Sequence, residues 1–143
     1  MTRAVVDASV ALKWFIGARP GEDDVDAAMG LLSAVADGQV ELIQPPHFVA
    51  EVAAVLVRET PATAQRDLSD LLDLRMRIDA ASGDYALAMT LAERHRQHLF
   101  DTLYHALALR TDHATLVTAD ERYVRKAIPE GRIVRLRDFR RLS

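Results

Sequence analysis

Short apolar runs alternate with amphipathic segments along most of this chain. The opening run Arg3-Ala-Val-Val-Asp7 is apolar and closes on an acid, the pattern of a buried strand. Residues 9–16 read as a helix with Ser9 in the N-cap position, and residues 17–21 make a turn. An amphipathic helix is predicted over 23–37: acids fill its first turn, Met29, Leu32 and Val35 line one side, and Gly38 stops it. A second strand falls at 40–43. Pro45-Pro46 then suits entry into a helix over 47–59 that turns Val52, Val55 and Leu56 inward. The next helix, 63–75, has a face marked by Leu68, Leu71, Leu72 and Met76. A short strand at 77–80 precedes helices at 84–96 and 101–110. Residues 114–118 form a strand, 120–127 a short helix and 133–136 a last strand. This alternation predicts an α/β fold with a parallel sheet. At 143 residues, the chain suits one domain with one core.

In parallel α/β sheets, ligands bind beyond the carboxyl ends of the strands. Asp7 ends the first strand, and Asp120 lies two residues past Thr118 at the end of another. Glu51 sits about one turn into the helix after the second strand. Asp101 opens a helix whose Leu103, Ala106 and Leu107 must face the core. Each acid also has a purely structural reading. Asp101 and Asp120 suit N-caps, and a lone glutamate such as Glu51 is most often solvated. Asp7 follows Val5-Val6 directly and is hard to place in free solvent. Four carboxylates at matching ends of elements would repel one another, and a divalent cation relieves that repulsion. All-oxygen ligands suit magnesium or manganese rather than zinc, and such a site is equipped for phosphoryl transfer.

Composition narrows the picture further. The formal net charge is −3, whereas a domain that grips nucleic acid by bulk electrostatics is normally basic. A nucleic-acid role therefore needs local basic patches or metal ions. Only Lys13 and Lys126 are lysines, and the arginine bias carries little functional weight by number. No cysteine is present, which excludes disulfides and thiolate metal sites. No apolar run reaches the roughly 18 to 20 residues of a membrane span. The stretch 4–17 is interrupted by Asp7 and Lys13 and makes a poor signal peptide, so a cytoplasmic location is the default. His95 and His98, beside Arg94 and Arg96, read as a solvated basic helix end, with contact to phosphates as the alternative. Arg132, Arg135, Arg137, Arg140 and Arg141 read as a solvated or partner-facing surface. Trp14 and Phe15 belong to a helix apolar nearly all round, whose second face should be covered by something. No aromatic ladder for stacking bases is evident.

Taken in order, Val5-Val6-Asp7-Ala8-Ser9-Val10, Pro45-Pro46 leading to Glu51, Phe100-Asp101-Thr102-Leu103-Tyr104-His105-Ala106-Leu107-Ala108, and Leu116-Val117-Thr118-Ala119-Asp120 resemble the PIN-domain nucleases. Within that family they are most similar to VapC-type toxins of bacterial toxin–antitoxin modules. The resemblance spans the chain. It implies a PIN-like three-layer α/β/α sandwich around a short parallel sheet, and cleavage of single-stranded or looped RNA with Mg2+ or Mn2+. It further implies a homodimer restrained by a cognate antitoxin. The family's metal-site acids correspond to Asp7, Glu51, Asp101 and Asp120, and its small hydroxyl residues to Ser9 and Thr118. Many relatives carry Tyr where this chain has Phe100.

Two other classes compete with that reading. A haloacid-dehalogenase-like phosphatase also starts with a strand-ending Asp, but needs a second Asp where this chain has Ser9. A PIN-like domain that binds RNA or a partner without cutting is the non-enzymatic alternative.

Overall fold

In a computed structural model, residues 2–17 and 19–139 are described. Strands β1 (Thr2–Val6), β2 (Val40–Gln44), β3 (Met76–Ile78), β4 (Ala114–Thr118) and β5 (Ile133–Arg135) form one sheet in the order β3-β2-β1-β4-β5. Every pairing is parallel, with Ala4 opposite both Leu42 and Thr115. The helices are α1 (Ala8–Ile16), α2 (Val25–Ala36), α3 (Phe48–Glu59), α4 (Ala64–Leu72), α5 (Ser82–His95), α6 (Leu99–Arg110) and α7 (Glu121–Ala127). The chain builds outward from β1 through β2 to β3, then crosses back to β4 and continues to β5. Right-handed crossovers then place α1–α4 over one face and α5–α7 over the other, the predicted α/β/α sandwich.

Ala4, Val5 and Val6 are all fully buried, as a central parallel strand covered on both faces requires. They join Leu42, Ile43, Leu116 and Val117 in one core with Val10, Trp14, Phe48 and Tyr104. A smaller cluster of Ala88, Leu91, Leu103 and Ala106 locks α5 to α6.

Several expectations need correction. Asp7, not Ser9, holds the N-cap position of α1, and Ser9 lies in the first turn. The buried side of α2 is Ala28, Leu31, Ala34 and Val35, while Met29 is exposed. On α4, Leu71 is buried but Leu72 faces out. The second face of α1 is covered within the chain, because its Val10, Ala11, Trp14 and Ile16 are buried and the Trp14 indole N–H donates to Ala28 O at 2.9 Å. That face therefore gives no reason of its own for a dimer.

The basic residues are also tied down rather than simply solvated. His95 pairs with Glu130 at 2.6 Å, beside Arg94 at 2.7 Å. His98 is the N-cap of α6, its Nδ1 accepting from Phe100 N. Arg132 donates to Thr111 O, Arg135 pairs with Glu121, and Arg137 pairs with Asp24 and Glu121. Arg140 and Arg141 lie outside the described residues.

Candidate active site

Neighbouring strands β1 and β4 send their connections in opposite directions, one toward β2 and the other toward β5. This is the topological switch point at which open α/β sheets leave a crevice for ligands. Asp7 leaves the end of β1, and Asp120 follows the end of β4. The Ser9 hydroxyl donates to one Asp7 oxygen and the Thr118 hydroxyl to the other. Each hydroxyl is itself held from the β4–α7 turn: Ser9 Oγ accepts from Ala119 N at 3.1 Å and Thr118 Oγ1 from Asp120 N at 3.0 Å. Two short relays from backbone amide through hydroxyl to carboxylate thus fix Asp7 against the end of the adjacent strand.

Asp120 keeps its capping role, since its Oδ1 accepts from Tyr123 N at 3.1 Å. Asp101 is not a cap; it stands in the first turn of α6, where Gln97 Nε2 donates to it at 2.8 Å. Lys126 in turn donates to Gln97 Oε1 at 2.9 Å. Glu51, in the first turn of α3, accepts from the Tyr104 hydroxyl at 2.6 Å and lies 3.4 Å from His47 Nε2. It is therefore not a free solvated glutamate.

Electrostatics tie these groups into one neighbourhood. Burial pushes the Asp7 carboxyl up to about 6, against the pull of the Ser9 and Thr118 hydrogen bonds, and the charges of Asp101 and Asp120 add to the rise. The Tyr104 phenol is raised first by burial, then by the Glu51 bond and charge, then by Asp7 and Asp101. Tyr123 is raised by burial and by Glu130, Asp101, Asp120 and Asp7. Asp7, Asp101 and Asp120 thus bear on one another, and Glu51 reaches the same phenol that Asp7 and Asp101 influence.

Among the described residues, no three His or acidic side chains stand close enough to hold one ion between them directly. Magnesium binds one or two carboxylates directly and keeps several waters. The donor set is all oxygen, and its mutual repulsion gives a cation something to neutralise. The residues present fit a hard divalent ion. A cavity of about 750 Å3 opens at the other end of the sheet, lined in part by Glu41, Asp73 and Arg77, and none of the four acids lines it.

Besides Gln97, three further groups at the site escape the sequence reading. Gln44 is fully buried, and its amide accepts from Val6 N at 2.9 Å and donates to Val6 O at 2.8 Å. It extends the β1–β2 ladder by a side chain to the residue just before Asp7. Tyr104 lies within the stretch 100–108, where the sequence alone gives it no role. The fold also assembles a row of rings from positions distant in the chain. His98, Phe100, His47 and Tyr104 follow one another with ring centroids 4.8, 5.1 and 4.6 Å apart.

The family model for the PIN domain matches residues 4–129. No curated protein sequence gives a match. Among solved structures, a chain of VapBC2 from Rickettsia felis, crystallised bound to a DNA fragment from their promoter, superimposes with a TM-score of 0.67. It is 16% identical, and the match covers 94% of this chain and 98% of that one. At that identity the likeness speaks for the fold.

Proposed function

The chain belongs to the PIN domain family, and from that premise we propose that it is a magnesium- or manganese-dependent endoribonuclease acting as the toxin of a type II toxin–antitoxin module. The observation that carries the reading is the state of Asp7. It is half-buried at the switch point and braced by two hydroxyls, and its carboxyl is pushed up first by desolvation and then by the charges of Asp101 and Asp120. A protein maintains such a repulsive arrangement at a cost in stability, and the cost has a function where the acids meet a cation and a phosphate.

Asp7, Asp101, Asp120 and Glu51 would hold the ion, one or two directly and the others through water. When bound, a divalent ion lowers the pKa of water and offsets charge developing on a phosphate. The chain's own residues supply orientation. Ser9 and Thr118 aim both Asp7 oxygens, Gln97 fixes Asp101, the α7 cap fixes Asp120, and Tyr104 holds Glu51. With these acids neutralised, the net charge of −3 no longer bars an RNA backbone from the crevice.

The partners in this reading are RNA as substrate, a cognate antitoxin and a second copy of the chain. The toxin–antitoxin assignment draws on the family resemblance and on the fold shared with a chain of a VapBC complex. A cytoplasmic location belongs to the same proposal; among the described residues, no helix is long and apolar enough to cross a membrane. Incubating the purified chain with labelled RNA and with DNA of the same sequence, in Mg2+, in Mn2+ and in chelator, tests the activity. Metal-dependent internal cuts in the RNA are expected. Metal-independent cutting, or none with either ion, would overturn the proposal.

A further inference from the structure

The ring row beside the acids has its inner end in the site and its outer end in solvent. Tyr104, at the inner end, is buried and bonded to Glu51. His47 packs against it at a tilt of 53°, and His47 Nε2 approaches both Glu51, at 3.4 Å, and the Phe100 carbonyl, at 2.9 Å. The Phe100 ring lies tilted by 39° against His47 and meets His98 edge to face at 69°, and the residue remains 47% exposed. It directly precedes Asp101. The fold therefore holds an apolar ring open to solvent, one residue from a candidate metal-site acid and one ring away from Glu51.

A phenyl ring held by tilted and edge-on neighbours loses little further freedom when a planar ligand lies on it. The planar groups of an RNA chain are its bases, and every base has a face to stack regardless of its identity. An unpaired nucleotide whose phosphate lies among the acids carries its base within reach of the rim. We propose that Phe100, braced by His47 and His98, is a stacking site for the unpaired base next to the scissile phosphate. Such a site gives the single-stranded substrate that the family resemblance implies a physical basis, because a base inside a duplex has both faces covered. This rests on the nuclease reading above and adds a base-binding site to it.

The test measures binding apart from cutting. In an Asp7→Asn background with Mg2+, a fluorescein-labelled single-stranded RNA of mixed sequence is compared by anisotropy with the same sugar–phosphate chain made abasic. The base-bearing probe should bind at least about fivefold more tightly, the lower end of one stacked base. Phe100→Ala should close that gap without weakening the abasic probe, and Phe100→Tyr should keep it. A gap that persists in Phe100→Ala, no gap at all, or equal loss for both probes would each overturn the stacking site. The parent chain is assayed for cutting alongside. Cutting that survives while the gap fails leaves the nuclease reading standing, whereas absence of cutting with both metals overturns that reading instead.

Discussion

Tyr104 and Glu51, 53 positions apart in the chain, are joined by a hydrogen bond of 2.6 Å from the phenol to the carboxylate. The bond ties α6, which carries Asp101, to α3, which carries Glu51, across the mouth of the site. Tyr104→Phe keeps the ring's packing against Phe48 and His47 but frees the carboxylate. RNA cleavage should slow by roughly 10- to 100-fold, the scale of a misplaced group. Stability in urea should fall by about 1–2 kcal/mol for a lost bond to a charged acceptor. A variant that cuts at the parental rate would show that Glu51 acts without this restraint.

Gln44 has a structural task that can be isolated. Its amide satisfies both Val6 N and Val6 O in the core, just before Asp7. Gln44→Leu fits the same space and strands both backbone groups, each costing about 1–3 kcal/mol when buried without a partner. Urea denaturation should show a loss of several kcal/mol. A loss under about 1 kcal/mol would mean that the strand end finds other partners.

These two residues mark where reading the sequence stops. The strands and helices were all legible, because buried parallel strands and amphipathic helices differ in period. The misplaced cap at Ser9 has a physical reason: a serine near a helix start reads as a cap, but its hydroxyl instead bonds to Asp7 and Ala119 N. The four acids were visible as strand- and helix-end residues, yet Glu51 and Asp101 meet only through Tyr104 and the sheet order. Gln44 meets Val6 only through the pairing of β1 with β2, and His47 meets Phe100 and Tyr104 only through the crossover between β3 and β4, so neither has a local signal. Gln97 lies only four residues from Asp101, but a glutamine at that spacing is not distinctive by itself. The arginines near the C-terminus illustrate the converse, since a charge cluster looks like free surface until its ion pairs with Glu121 and Asp24 are known.

The raised Asp7 carboxyl has a consequence for stability. Its value moves from 3.8 to about 6 on folding, so between those values the native chain binds more protons than the unfolded one. Its contribution is therefore most favourable below about pH 4, declines as pH rises through this window, and stays unfavourable above about pH 6. In chelator at neutral pH, Asp7→Asn should be more stable than the parent by about 1–3 kcal/mol. The difference should shrink toward acid. Denaturation series at several pH values check this, and an Asp7→Asn protein less stable than the parent at neutral pH would contradict it.

The central claim is that Asp7 belongs to a metal-dependent cutting site. Its most direct test is the rate at which purified, partner-free chain cleaves RNA in saturating Mg2+, before and after Asp7→Asn. The expected rate is at least about 100-fold lower in the variant, in a protein that melts no earlier than the parent. Equal rates in the two proteins would contradict it.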